Sequence, residues 1–305
     1  MPHSVPPLTD IGPLPTASTV RTVVFSDFDE TYLAHSGTPE QVRSRQALEN
    51  YLEDAGERHG LLFGWVTGSS LSSVLGKARR HGLRFLPHFI ACSLGTELHV
   101  ISEAGIQPEP GWQRRMLTTG EHLEGLAEEA FRELRTRGVP LVPQSCRAPG
   151  SRVISYYYFA QDPERDARQL ALIRRTADRL SLGVNLSRCN PAAGDPDDCY
   201  DVDFLPRDCG KRHIVEYICR LYAVSEADAF AFGDSGNDLE MLTAVGRGLL
   251  VGNCTEEARA RYPQVSARSH ADAILSELRG FYRDASGNHR RRQHRPHARR
   301  SGGGL

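Results

Sequence analysis

Two carboxylates, Asp27 and Asp29, and a hydroxyl, Thr31, close the apolar run Val23-Val24-Phe25. A short β-branched stretch that ends abruptly in polar groups reads as a buried strand carrying chemistry at its carboxyl end. That is the end at which open α/β sheets bind ligands. Three further stretches carry compatible groups. Thr67-Gly68 follows the apolar run Leu61–Val66, Gly233-Asp234-Ser235-Gly236-Asn237-Asp238 follows another, and Lys211 opens a helical pattern. Together they supply what hydrolysis of a phosphate monoester needs: a nucleophile, a proton donor for the leaving oxygen, a cation, and fixed N–H or ammonium donors.

Asp27 is placed to attack phosphorus and form an aspartyl-phosphate, since a carboxylate is ordinarily ionised at neutral pH. Asp29, two residues on, falls on the same side of an extended segment. There it can protonate the leaving alkoxide and then take a proton from the hydrolytic water. The expected cation is Mg²⁺, a hard ion that prefers oxygen ligands. Its expected ligands are the Asp27 carboxylate, the Asp29 backbone carbonyl and Asp234, with Asp238 acting through water. Thr67 and Lys211 hold phosphoryl oxygens, Gly68 gives the turn its freedom, and Asn237 orients the cluster. Ser69-Ser70 leads into a helix whose first N–H groups face an anion. Each motif alone has a plainer reading: a strand-end turn, a helix cap, or, for residues 233–238, a calcium loop without the other oxygen ligands of an EF-hand. The conjunction of four motifs in order, three at strand ends and one opening a helix, points to a phosphatase.

The elements that must position these groups alternate. A strand at 22–27, a helix at 39–58 with Val42, Leu48, Leu52 and Ala55 at helical spacing, a strand at 61–66, a helix to Arg80 and a strand at 89–93 predict an α/β fold with a doubly wound parallel sheet. From 111 to 203 the pattern becomes a helix (119–137), two strands (139–144, 152–159), a helix (163–181) and two strands (183–188, 200–205). That order predicts an α+β unit with an antiparallel sheet. Alternation resumes at Lys211 and ends in helices near 282. The expected organisation is a disordered segment over 1–20, a core of 21–110 and 206–283, an inserted α+β cap over 111–205, and a disordered basic tail over 284–305.

Across 305 residues the formal net charge is −1, which gives no reason to expect a polyanionic partner. No apolar run approaches the roughly 18 residues of a spanning helix, and Met1–Thr19 has scattered prolines and no signal-peptide core, so a cytoplasmic protein away from membranes is expected. The seven cysteines are odd in number and scattered, with no CxxC pair, so reduced structural thiols are expected rather than a zinc or redox site. The arginines and histidines after Asn288 suit either a nucleic-acid arm or a solvated tail. No aromatic residues interleave and the body is not basic, so no nucleic acid is expected as a partner.

The four motifs Asp27-Phe28-Asp29-Glu30-Thr31, Thr67-Gly68, Lys211 and Gly233–Asp238 resemble those of the haloacid dehalogenase superfamily. A cap between the second and third motifs resembles its sucrose-phosphate-phosphatase-like branch, whose caps are of the C2B type. Longer stretches, among them Phe63–Ser70, Pro87–Ala91, Leu94–Glu97, Arg188-Cys189-Asn190-Pro191, Gly194-Asp195-Pro196 and Tyr200–Phe204, are similar to the kanosamine-6-phosphate phosphatases. This likeness covers roughly residues 20 to 280. What it implies is hydrolysis of a small-molecule sugar phosphate, 3-amino-3-deoxyglucose 6-phosphate, in an amino-sugar or antibiotic pathway. Arg188, Asn190, Asp195, Asp198 and Asp201, with Asn185, Asp197 and Asp203 nearby, then become candidates to meet an ammonium and hydroxyls. The plainer reading of this segment is a solvated loop between two strands. A broader hexose- or sucrose-phosphate phosphatase is the neighbouring reading. A catalytically silent binding protein on the same scaffold would show damage at Asp27, Asp29, Lys211 or Asp234, and all four are intact.

Overall fold

The computed structural model describes residues 11–144, 152–189 and 196–293. The chain opens with β1 (Gly12–Pro13), β2 (Thr22–Ser26), α1 (Pro39–His59), β3 (Leu61–Val66), α2 (Leu71–Arg80), β4 (Phe85–Leu86), β5 (Phe89–Cys92), β6 (Glu97–Ser102) and β7 (Gly105–Pro108). Then come α3 (Pro110–Thr119), α4 (Leu123–Thr136), β8 (Leu141–Pro143), β9 (Ile154–Phe159), α5 (Pro163–Arg179), β10 (Leu182–Arg188) and β11 (Cys199–Pro206). The last stretch holds α6 (Lys211–Leu221), β12 (Phe230–Gly233), α7 (Leu239–Thr243), β13 (Arg247–Leu250), α8 (Glu256–Arg261) and α9 (His270–Gln293).

Seven strands form the main sheet in the order β13-β12-β2-β3-β5-β6-β7. The first five run parallel, and β6 and β7 extend the edge antiparallel. The central strands β2, β3, β5 and β12 are buried at every position because both faces are covered. Val24, Phe63 and Trp65 pack against α1, α2 and α9 on one face, while Val23, Phe25 and Leu62 pack against α3, α6 and α7 on the other. This is the doubly wound α/β architecture expected, and it sets Asp27, Thr67 and Asp234 at one carboxyl edge.

A second sheet, of four antiparallel strands, has the order β10-β11-β9-β8. One of its faces buries Tyr156, Tyr158, Val202 and Phe204 against α4 and α5, giving this unit an apolar core of its own. The other face is polar. The chain enters the unit after α3 and returns through β11, whose Phe204 belongs to the inserted core and whose Leu205 belongs to the main one.

Three elements depart from the expected pattern. Residues 11–20, expected as part of a disordered lead-in, are tied down: β1 pairs with β4, and Ile11 and Leu14 are buried in the main core. A two-residue strand made of a glycine and a proline carries no periodic signal, so only this long-range pairing reveals it. A helix the periodicity did not predict, α3, starts at Pro110, where Glu109 caps it by accepting the Trp112 N–H and proline occupies the first turn. The last helix runs to Gln293, beyond the expected end near 282. Among the described residues no helix is long and apolar enough to cross a membrane.

Candidate active site

Because β2 lies between β12 and β3, the residue following it lies between two other strand ends. Asp27 continues the ladder through its N–H, which donates to the Phe232 carbonyl at 2.9 Å, and its carboxylate is buried. Lys211, the first residue of α6, places its Nζ 2.7 Å from Asp27 Oδ1 and 2.6 Å from Asp238 Oδ1. Gly210 before it has φ +115°, a backbone state that suits glycine, and a Cβ at Gly95 would stand 3.1 Å from the Gly210 backbone, so this approach needs glycine at position 95 as well. The second oxygen of Asp238 accepts from the backbone N–H groups of Asp234 and Ser235, both at 3.0 Å. This is possible because position 233 is glycine: a Cβ there would stand 2.3 Å from the Asp238 Cβ. Asp234 accepts from the Thr31 hydroxyl at 3.1 Å. The hydroxyl of the first motif is thereby joined to the carboxylate of the last.

Three carboxylates, Asp27, Asp234 and Asp238, thus face one buried ammonium, with ligand oxygens within 4.8 Å of one another. Burial pushes the Asp27 carboxyl up to about 7, the Lys211 ammonium opposing it and Asp238 adding to it. Burial also lifts Asp234, to about 8, with help from Asp238 and Asp27. Lys211 stays charged: burial opposes its charge, but Asp238 and Asp27 more than offset that and raise it above the ordinary lysine range. Burial therefore opposes ionisation of the carboxylate that general grounds expect to be charged. The oxygen-only donor set and the excess negative charge both fit a hard divalent cation.

Asp29 is held differently. Its carboxylate accepts from Lys77 Nζ at 2.6 Å and from the Ser69 hydroxyl at 2.9 Å, and lies 2.7 Å from His35 Nε2. Burial alone would raise it, but the Lys77 and His35 contacts win and hold it below the usual carboxylate range. Ser69 was expected only as the lead into a helix, and Lys77 and His35 were not singled out from the sequence. Lys77 had a signal: it lies two turns into α2, and helical side chains lean toward the N-terminus, here toward the Ser70 cap.

Thr67 is buried at the end of β3, its N–H on the Ala91 carbonyl and its hydroxyl accepting the Ser69 N–H. A side chain at Gly68 would meet Leu94. Asn237 accepts from the Ser235 hydroxyl at 3.1 Å and, with Lys211, lines a crevice whose opposite wall comes from the inserted unit, notably Arg174 and Asn185.

The residues expected from the inserted unit divide. Asn185, Asp201 and Asp203 share the polar face of the four-stranded sheet, since Asn185 pairs with Asp203 and Ser187 with Asp201. Asp203 accepts from Ser155 at 2.6 Å and Asn185 at 3.0 Å, and Asp201 accepts from Gln144 at 2.9 Å. Arg188 and Asp198 are exposed, 3.7 Å apart, with the Arg188 guanidinium stacked over Tyr200. Neither they nor Asp201 line the crevice. Asn190 and Asp195 lie outside the described residues. His88 is buried between Phe63 and Pro15, its Nδ1 accepting the Phe63 N–H and its Nε2 facing the Pro15 carbonyl.

Comparison with known proteins bears on this arrangement. Residues 20–281 match the Sucrose-6F-phosphate phosphohydrolase family. The chain is 37% identical over 273 residues to the kanosamine-6-phosphate phosphatase of Bacillus subtilis, covering 87% of this chain and 95% of that protein. Among solved structures it superposes on a haloacid dehalogenase-like hydrolase from Bacillus subtilis with a TM-score of 0.71 and 36% identity, over 90% and 96% of the two chains. It shares the fold of the sucrose-phosphatase of Synechocystis sp., solved with sucrose and phosphate, with a TM-score of 0.65 and 23% identity, over 86% and 98%.

Proposed function

The chain belongs to the sucrose-6F-phosphate phosphohydrolase family of haloacid dehalogenase-like hydrolases and is a sugar phosphatase, and from that premise we propose that it hydrolyses kanosamine 6-phosphate (3-amino-3-deoxy-D-glucose 6-phosphate) with Mg²⁺. The observation that carries this reading is the likeness to the kanosamine-6-phosphate phosphatase, whose 87% coverage of this chain takes in the inserted unit as well as the catalytic edge. Sugar selectivity, if it lies in that unit, would be carried with it.

Asp27, Asp234 and Asp238, with the Asp29 carbonyl, would hold the cation. When bound, Mg²⁺ offsets the charge of the phosphoryl group and of the clustered carboxylates. Lys211 binds a phosphoryl oxygen while keeping Asp27 in place, and Thr67 with the start of α2 binds the others. Asp27 forms the new bond to phosphorus, and the sugar oxygen leaves with the electron pair of the broken P–O bond. Asp29, once it has taken up a proton against the Lys77 and His35 contacts that hold its carboxyl low, supplies the proton that makes it a hydroxyl. Water then attacks the aspartyl-phosphate, gives its proton to Asp29, and phosphate departs with Asp27 restored.

Residues 111–205 serve in this reading as a cap over the crevice, excluding bulk water. Its polar sheet face reads the sugar: Asp203, bonded to the crevice residue Asn185, accepts from the ammonium, Asn185 bonds hydroxyls, and Asp201, Arg188 and Asp198 lie outside the crevice. Phosphate release from kanosamine, glucosamine, glucose and sucrose 6-phosphates, compared by kcat/KM, tests the proposal. A preference of about 100-fold for kanosamine 6-phosphate, worth about 2.7 kcal/mol in the transition state, is expected. Comparable rates across the set would replace it with a broader sugar phosphatase, and no release from any would overturn the substrate assignment altogether.

A further inference from the structure

The hairpin of β5 and β6 assembles a second set of ligand atoms, separate from the carboxylate cluster. Its register sets Cys92 opposite Glu97 and Ile90 opposite His99, and with side chains alternating along each strand Cys92, Glu97 and His99 share one face. Cys92 Sγ lies 3.7 Å from Glu97 Oε2, and His99 Nε2 lies 3.3 Å from the same oxygen. All three ligand atoms lie within 4.8 Å of one another. Around a tetrahedral zinc ion, ligands at ordinary bond lengths stand about 3.3–3.8 Å apart, so two of the three edges already have that length. The Ser93 hydroxyl donates to Glu97 Oε1 at 3.0 Å, which turns the other oxygen toward the thiol and the imidazole.

We propose that Cys92, Glu97 and His99 bind a zinc ion, with water as the fourth ligand. One thiol, one imidazole and one carboxylate suit zinc and do not suit Mg²⁺. Cys92 is fully buried while the Glu97 side chain is 45% exposed, so the metal enters from the Glu97 side. The thiol proton passes to solvent as sulfur takes the metal.

The site sits where it can brace the catalytic edge. Between Cys92 and Glu97 the chain makes a 3-10 turn, Ser93–Gly95. Ser93 N–H donates to the Ser69 carbonyl at 2.9 Å, and Ser69 holds Asp29. Gly95 packs against Gly210, the residue before Lys211. A metal joining the two ends of this turn fixes the surface on which both carriers rest.

Cobalt is the probe. Co²⁺ is titrated into the full-length protein in excess Mg²⁺, which occupies the thiol-free carboxylate cluster, and thiolate-to-cobalt charge-transfer absorption is followed. One equivalent should produce the band, zinc should abolish it, and Cys92→Ser should lack it. His99→Gln should weaken cobalt binding by about 100-fold. A folded wild-type protein without the band, or a band that survives in Cys92→Ser, overturns the proposal. Should Cys92→Ser not fold, His99→Gln decides alone, and an unchanged affinity overturns it.

Discussion

At the carboxyl edge of the seven-stranded sheet, Asp27, Lys211 and Asp238 are buried and joined at 2.6 to 2.7 Å, and each comes from a different segment of the chain. The polar face of the four-stranded sheet is built otherwise. Asp203 is buried, Asn185 and Asp201 are half-buried, and Arg188 and Asp198 stand in solvent. The first arrangement suits chemistry that every phosphate monoester shares, where fixed charges must not reorganise as the reaction proceeds. The second suits recognition, where hydroxyls and an ammonium replace water on a surface that stays accessible. If that division is right, the two regions should fail in different ways.

The largest effect belongs to the catalytic edge. Asp27→Asn should lower kcat by about 10⁴-fold or more on every phosphate ester while leaving the circular dichroism spectrum unchanged. A folded, active Asp27→Asn enzyme would falsify the assigned nucleophile. Asp29→Asn should lower kcat on sugar phosphates by about 10²- to 10⁴-fold. It should slow an aryl phosphate much less, because that leaving group needs no proton, and equal losses on both would remove Asp29 as the acid. On the recognition face, Asp203→Asn keeps the shape and removes the charge. It should lower kcat/KM for kanosamine 6-phosphate by roughly 10- to 200-fold and leave the aryl phosphate untouched. A parallel loss on both substrates would mean that the two regions are not separable.

The smallest effect is on stability. Asp27 and Asp234 have folded-state values raised to about 7 and 8, so between about pH 4 and pH 8 the folded protein without metal binds more protons than the unfolded chain. Their contribution therefore falls as pH rises through that window. Bound Mg²⁺ favours the ionised carboxylates and opposes the loss. The rise in melting temperature on adding Mg²⁺ should accordingly grow from pH 5 to pH 8, and a shift independent of pH would contradict the charge balance drawn for the cluster. Taking the difference with and without Mg²⁺ at each pH cancels His88, which burial pushes down and which loses stability toward acid.

The same contrast explains what could be read from sequence. Strand β3 was legible to the residue, Leu61–Val66, because a strand buried on both faces is a continuous apolar run with polar punctuation. Asp27, Thr67, Lys211 and Asp234 were legible for a related reason, since each stands at an element boundary where a change of chemistry marks the spot. Lys77 was not, because a lysine on an amphipathic helix is ordinarily solvated and only tertiary packing turns it onto Asp29. Arg188 and Asp201 were grouped with Asn185 by proximity in sequence. Side chains alternate across a strand, which turns Arg188 to the other face, while Asp201 shares the face of Asn185 but lies farther along it; only the packing of β10 against the Gly236–Asp238 turn puts Asn185 at the crevice. Cys92, Glu97 and His99 carry no metal-binding spacing; the hairpin register alone brings them together.

The position of β2 in the main sheet also has a consequence in time. Its neighbour on one side, β3, follows soon after it, but its neighbour on the other, β12, comes near the end, and 203 residues separate Thr31 from its partner Asp234. At about 5–20 residues per second of synthesis, roughly 10–40 s pass before the second arrives. Through that interval the strand Thr22–Ser26, with Val23, Val24 and Phe25 at its centre, has one open edge, while the inserted unit, complete at Pro206, already has every strand of its own sheet. During translation the inserted unit can thus be finished while the carboxyl edge of the main sheet still waits for Asp234 and Asp238.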